Sequence, residues 1–87
     1  MGAEQEKLVE LQKLALGIIL EKGVVGGEEL MARTDKSPSD LFPAMKELTR
    51  RGLVNANTVL YSADVLRNAY FNLIPSAMGV AKGFVSS

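Results

Sequence analysis

Residues Ser37–Val54 read SPSDLFPAMKELTRRGLV, and both ends carry helix punctuation. Ser37 stands at the N-cap, Pro38 at the first helical position and Asp40 in the first turn, where a carboxylate suits the positive end of the helix dipole. Leu41, Ala44 or Met45, and Leu48 recur at helical spacing and turn one stripe toward a core. Arg50 and Arg51 fall in the last turn, where cations suit the dipole, and Gly52 supplies the stop. Leu53 and Val54 follow at once and open a strand. The stretch predicts a helix beginning at Pro38, held by its leucines against other helices, with its opposite side open.

On the N-terminal side, Ala3–Lys22 predicts a first helix, with Leu8, Leu11, Ala15, Ile18 and Ile19 at three- and four-residue spacing. Val9, Leu14, Leu16 and Leu20 widen that stripe. Two explanations stay open: a central helix contacted from two sides, or a spare face that meets a second subunit or another domain. Gly23 ends the helix and Val24-Val25 forms a short strand. Gly26 and Gly27 make a loop, with Gly27 as N-cap of a second helix over Glu28–Thr34. Leu30 and Met31 are its buried side, and Glu28 and Glu29 complement its dipole. Thr34-Asp35-Lys36 is the turn into Ser37.

On the C-terminal side, Asn55–Asn68 predicts a long loop, with Asn57-Thr58 as a turn-compatible step. It is unusually apolar, carrying Val59, Leu60, Tyr61, Val65 and Leu66, and its one cation is Arg67. Ser62-Ala63-Asp64 resembles a helix start, so Ala63–Phe71 as a helix competes with a strand at Ala69–Leu73. The strand is preferred, with Phe71 and Leu73 inward and Tyr70 and Asn72 outward. Pro75 opens a last helix with Ser76–Val85 as its body and Ala77, Val80, Ala81 and Phe84 as its apolar side. Gly79 and Gly83 each weaken it by roughly 1 kcal/mol relative to Ala. They also leave two bare backbone positions on one face, suited to close packing on the first helix, within the chain or across a dimer. The end at Ser86-Ser87 leaves room for a longer parent protein.

The 87 residues suit one domain, residues 1–87, and 47% of them are hydrophobic, which argues against disorder. The longest apolar run, near Leu16–Leu20, is far too short to span a bilayer, and no basic apolar leader precedes it. With no Cys and no His, disulfides, thiol chemistry, ordinary zinc sites and His-dependent catalysis are excluded. The lack of Cys is consistent with a cytoplasmic, reducing setting. Net charge is zero but uneven: Met1–Leu30 carries three lysines against six glutamates, and Met31–Arg51 five cations against three carboxylates. A strong stand-alone DNA binder is usually basic throughout.

Glu21–Val54, EKGVVGGEELMARTDKSPSDLFPAMKELTRRGLV, resembles the winged helix-turn-helix of multiple-antibiotic-resistance-type (MarR-like) transcription regulators, and Ala69–Phe84, AYFNLIPSAMGVAKGF, resembles the return strand and following helix start of that family. The resemblance implies a mainly α fold with a small β-hairpin: a three-helix core, a wing at Asn55–Asn68 and a C-terminal helix. It also implies double-stranded DNA as partner, with the outward positions early in the third helix touching bases and phosphates. Those positions are Ser37, Ser39, Asp40, Phe42, Pro43 and Lys46. The expected DNA-binding set is Lys36, Ser37, Ser39, Lys46, Arg50 and Arg67, with Arg33 on the phosphate rim. Asp40 is not a phosphate partner, and Pro43 cannot hydrogen-bond through its side chain.

Winged helices also serve as protein-interaction modules. In that alternative Phe42, Leu60 and Tyr61 form the contact, and the terminal helices join two copies. Phe42 is either an exposed anchor or core. An enzyme is disfavoured: Gly26-Gly27 lacks the flanking Lys and Ser/Thr of a phosphate loop, Glu28 and Glu29 have no catalytic partner, and Ser37 and Ser39 are explained by capping. No catalytic residue, metal site, cofactor or membrane contact is expected.

Overall fold

The computed structural model describes residues 2–87, with side chains from Glu6 onward. Its central helix, α3, spans Pro38–Arg50. The Ser37 hydroxyl oxygen accepts a hydrogen bond from the Asp40 N–H at 3.2 Å, satisfying one of the donors that a helix start leaves unpaired. At the other end Gly52 adopts φ +77°, a left-handed conformation that glycine tolerates without penalty. This lets the Gly52 and Leu53 N–H groups donate back to the Thr49 and Leu48 carbonyls, both at 3.1 Å, closing a Schellman motif. The helix continues through Pro43, which lies on its exposed side. Leu41, Ala44, Met45 and Leu48 are fully buried.

Two helices precede α3. The first, α1, spans Gly2–Lys22 and ends where Gly23 takes φ +83°. The second, α2, spans Gly27–Thr34, one residue earlier than expected, with Gly26 rather than Gly27 at its N-cap. α1 packs against α3. Leu16 and Ile19, from the wide apolar stripe, are buried in one continuous core with Leu41, Met45 and Leu48. Of the two explanations for that stripe, packing within the chain accounts for Leu16, while Leu14 stays 48% exposed.

The expected hairpin is present, and the short strand expected at Val24-Val25 joins it, extended to Gly26. β1 (Val24–Gly26) and β2 (Val54–Ala56) both pair antiparallel with β3 (Tyr70–Leu73), in the order β1-β3-β2. Phe71 faces both Val25 and Ala56 and is fully buried, whereas Tyr70 points out. Leu73 and Asn72 are half-buried, so Asn72 is less outward than alternation predicts. Between β2 and β3 the chain resolves the competition between helix and strand by using both. A short helix, α4, covers Ala63–Leu66, and the strand begins at Tyr70. α4 packs on α3, with Leu66 fully buried and Leu60 only 7% exposed.

A 3-10 turn at Pro75–Ala77 leads into α5, Met78–Ser86, which lies along α1. Ala77 and Ala81 are buried and Phe84 is half-buried, as expected, but Val80 is exposed and Val85 takes a place in the packing instead. Of the two packings expected at Gly79 and Gly83, the one within the chain is not made: among the described residues nothing would lie within 4 Å of a Cβ at either. The small residue facing α5 is Gly17, where an added Cβ would lie 3.9 Å from Val85 Cγ1. Phe84 is sandwiched between cations, with Lys13 Nζ 5.9 Å and the Arg51 guanidinium 5.2 Å from its ring centre. The fold is thus mainly helical with a small three-stranded antiparallel sheet, and among the described residues no helix is long and apolar enough to cross a membrane.

Candidate nucleic-acid interface

With four side chains of α3 turned into the core, helical spacing leaves Ser39, Pro43, Lys46 and Arg50 as an exposed ridge. The ridge is flanked on both sides. Toward α1, Asp40 and Pro43 share a groove with Leu8 and Leu11, whose rim carries Glu6, Lys7 and Glu10. Toward the connection between β2 and β3, Lys46 and Thr49 share a depression with Thr58, Val59 and Leu60. The α1 flank is therefore of mixed charge, and the other is apolar and polar without carboxylates.

The expected DNA-contacting residues fall into two groups around this ridge. Lys36 and Ser37, in the turn between α2 and α3, line one depression together with Arg67, which lies just beyond α4. Glu28 and Asp35 line it too, yet among the described residues neither Lys36 nor Arg67 is ion-paired. Ser39 and Lys46 stand on the ridge itself. The Lys46 ammonium sits 5.4 Å from the centre of the Phe42 ring, a cation–π contact that leaves its charge unneutralised. Ser37 spends one oxygen lone pair on capping the helix and keeps its hydroxyl proton and a second lone pair.

Arg50 is exposed but not available in the same way. Glu47, one turn back, accepts a hydrogen bond from its Nε at 2.8 Å and a second from its Nη2, and also one from Arg51 Nε at 3.1 Å. One carboxylate thus clamps both arginines. Donation from Arg50, then from Arg51, holds the Glu47 carboxyl well below its ordinary value, at about 2. The i,i+3 and i,i+4 spacing of Glu47, Arg50 and Arg51 is a sequence signal for this clamp. Arg33 is likewise shared, 3.7 Å from Glu21 and 3.8 Å from Glu29. Glu29 is itself held below its ordinary value by Lys22, whose ammonium lies 2.8 Å away.

The residues proposed for protein contact separate. Leu60 belongs to the core, because the loop folds back on α3 rather than standing away from it. Its expected role as an exposed contact does not hold. Phe42 is half-buried, packed against the core on its inner side and covered by Lys46 on the outer. Tyr61 is exposed, and Val59 beside it equally so. Among the described residues no group of three or more Asp or Glu side chains is placed to hold a metal ion. No protein-family model matches the chain, and no curated protein or solved structure matches it significantly.

Proposed function

We propose that the chain is a winged helix-turn-helix module of the transcription-regulator type that binds double-stranded DNA, weakly as one copy or more tightly as a dimer, through α3 and the wing. The element order α1-β1-α2-α3-β2-β3 with sheet order β1-β3-β2 supports the winged-helix assignment, with residues 57–69 as the wing. The observation that carries the DNA-binding function is the open ridge of α3. A helix packed on three sides leaves one face, wide enough to enter a major groove, and Lys46 on the ridge with Lys36 and Arg67 beside it can meet phosphates. The absence of His and Cys and the capping role of Ser37 support a binding rather than an enzymatic role, and the lack of Cys suits the cytoplasm.

The test is titration of a labelled duplex at 50 mM and 200 mM salt, between which the Debye length falls about twofold. Binding at the lower concentration that collapses at the higher is expected, and Lys46→Ala combined with Arg67→Ala should weaken it at least about tenfold at low salt. A duplex left unbound at low salt by concentrated protein overturns the proposal.

The second function, a protein-interaction and oligomerisation module without DNA binding, is favoured by one observation. Val59 and Tyr61 are 76% and 75% exposed on the wing, where a phosphate-gripping loop would carry cations. Its sign would be a Tyr61→Ser variant that folds normally and loses a protein partner while the duplex titration stays blank for both forms.

A further inference from the structure

The wing holds a depression that none of the DNA contacts above uses. Tyr61, Asn57 and Asn68 line it together with Thr58, Ser62 and Asp64. Most of the Tyr61 ring is open to solvent, so packing does not account for an aromatic side chain at this position. Asn57 is fixed in place: its main-chain N–H donates to the Tyr70 carbonyl at 3.1 Å and its Oδ1 accepts from the Tyr70 N–H at 2.9 Å. With the oxygen committed, the Asn57 amide presents its NH2 as donor. Asn68 adds an exposed amide with both donor and acceptor capacity, and Asp64 adds an acceptor.

A flat π face with donors and acceptors around it matches a nucleobase, which offers its own face for stacking and its edge for hydrogen bonds. The depression does not match a phosphate, since its one charged lining residue is Asp64. Its position matters as much as its composition. Thr58 lines both this depression and the one holding Lys46, and Arg67, next to Asn68, lines the one holding Lys36. A strand running along α3 therefore passes cations on either side of the aromatic depression. A base within an intact duplex cannot reach it, because both its faces are covered by its neighbours in the stack.

We propose that this depression receives an unstacked base of the strand held by α3, so that the domain prefers duplex DNA bearing unpaired nucleotides to fully paired duplex. The inference rests on the DNA-binding function proposed above. The experiment compares, by fluorescence anisotropy at low salt, a blunt duplex with the same duplex carrying a short single-stranded overhang, for the unaltered protein, Tyr61→Ala and Tyr61→Phe. Tyr61 is exposed enough for both variants to fold, which circular dichroism checks. The overhang duplex is expected to bind about 5- to 160-fold more tightly, the range that base–aromatic stacking supplies. That preference should vanish in Tyr61→Ala and persist in Tyr61→Phe. Equal binding of the two DNAs overturns the inference and leaves the DNA-binding function standing, as does a preference that survives Tyr61→Ala. Binding of free deoxyadenosine monophosphate with no preference for the overhang also overturns it, in favour of a mononucleotide site. Failure to bind either DNA overturns both.

Discussion

A Cβ placed on Gly27 would lie 1.7 Å from the Leu66 carbonyl oxygen and 2.8 Å from its carbon, and both are backbone atoms that no rotamer change can move. The connection between β2 and β3 and the start of α2 are locked together at this point, where the Gly27 N–H also donates to the Ala69 carbonyl at 2.8 Å. Gly27→Ala is expected to cost about 3 kcal/mol or more, since α4 must be displaced to admit one methyl group. Gly83→Ala is the control: it sits inside a helix with open space around it and should stabilise by roughly 1 kcal/mol. Urea denaturation of the two variants checks both signs. Gln12 is the other residue out of keeping with its surroundings, 1% exposed with its Oε1 unpartnered. Gln12→Met keeps the shape and removes the orphan acceptor, so stability should hold or rise by about 1 kcal/mol. A loss of that size would mean instead that a donor, a buried water for example, satisfies the oxygen in solution.

Within α3 the decisive contact is the clamp of Glu47 on Arg50 and Arg51. The carboxyl falls from its ordinary 4.5 to about 2, so between those values the unfolded chain binds a proton that the folded chain does not. The clamp's contribution is therefore complete above about pH 4.5 and is lost as pH falls toward 2. Thermal unfolding of Glu47→Gln should show a shallower decline of Tm over that window than the unaltered protein. The same variant frees two arginines, one of them on the ridge, and should bind duplex DNA more tightly with a steeper salt dependence. The α3 helix itself is legible in the sequence, because its cap, its stripe and its glycine stop are all local signals. The connection between β2 and β3 is not, since the burial of Leu60 and Leu66 depends on a loop folding back onto a helix many residues away. α5 was half legible: MGVAKGFVS carries one charged residue, so little polar pattern fixes its rotation, and Val80 was assigned to the wrong side. On the candidate site, helix phase placed Ser39 and Lys46 outward. The clamp was written in the spacing of its three residues but needs the side-chain geometry to show that one carboxylate holds both arginines.

The molecule as a whole has no net charge, which limits what one copy can do on DNA. Of the cations expected to touch DNA, Lys36, Lys46 and Arg67 have no ion-pair partner among the described residues. Three phosphate contacts give a salt slope of about −2.7 in log–log form, or about a 40-fold loss between 50 and 200 mM. So shallow an electrostatic contribution leaves a single copy weak at physiological salt, and tight binding then requires two copies to act together. Leu14, Met78 and Val80 are exposed apolar side chains on the terminal helices, where a second copy would be met. On a duplex with two half-sites about 10 base pairs apart, one helical turn, the two recognition helices face the same side of the DNA. Binding there should be sigmoidal in protein concentration and tighter than on a duplex with one half-site. Moving the half-sites apart by about five further base pairs places them on opposite sides and should abolish the gain. Val80→Glu should remove the sigmoidal character and leave one-site binding unchanged, because Val80 lies on α5 and lines none of the depressions beside the α3 ridge. Equal affinity for both spacings would exclude a dimer of fixed geometry, and the weak single-copy contacts would then have to stand alone.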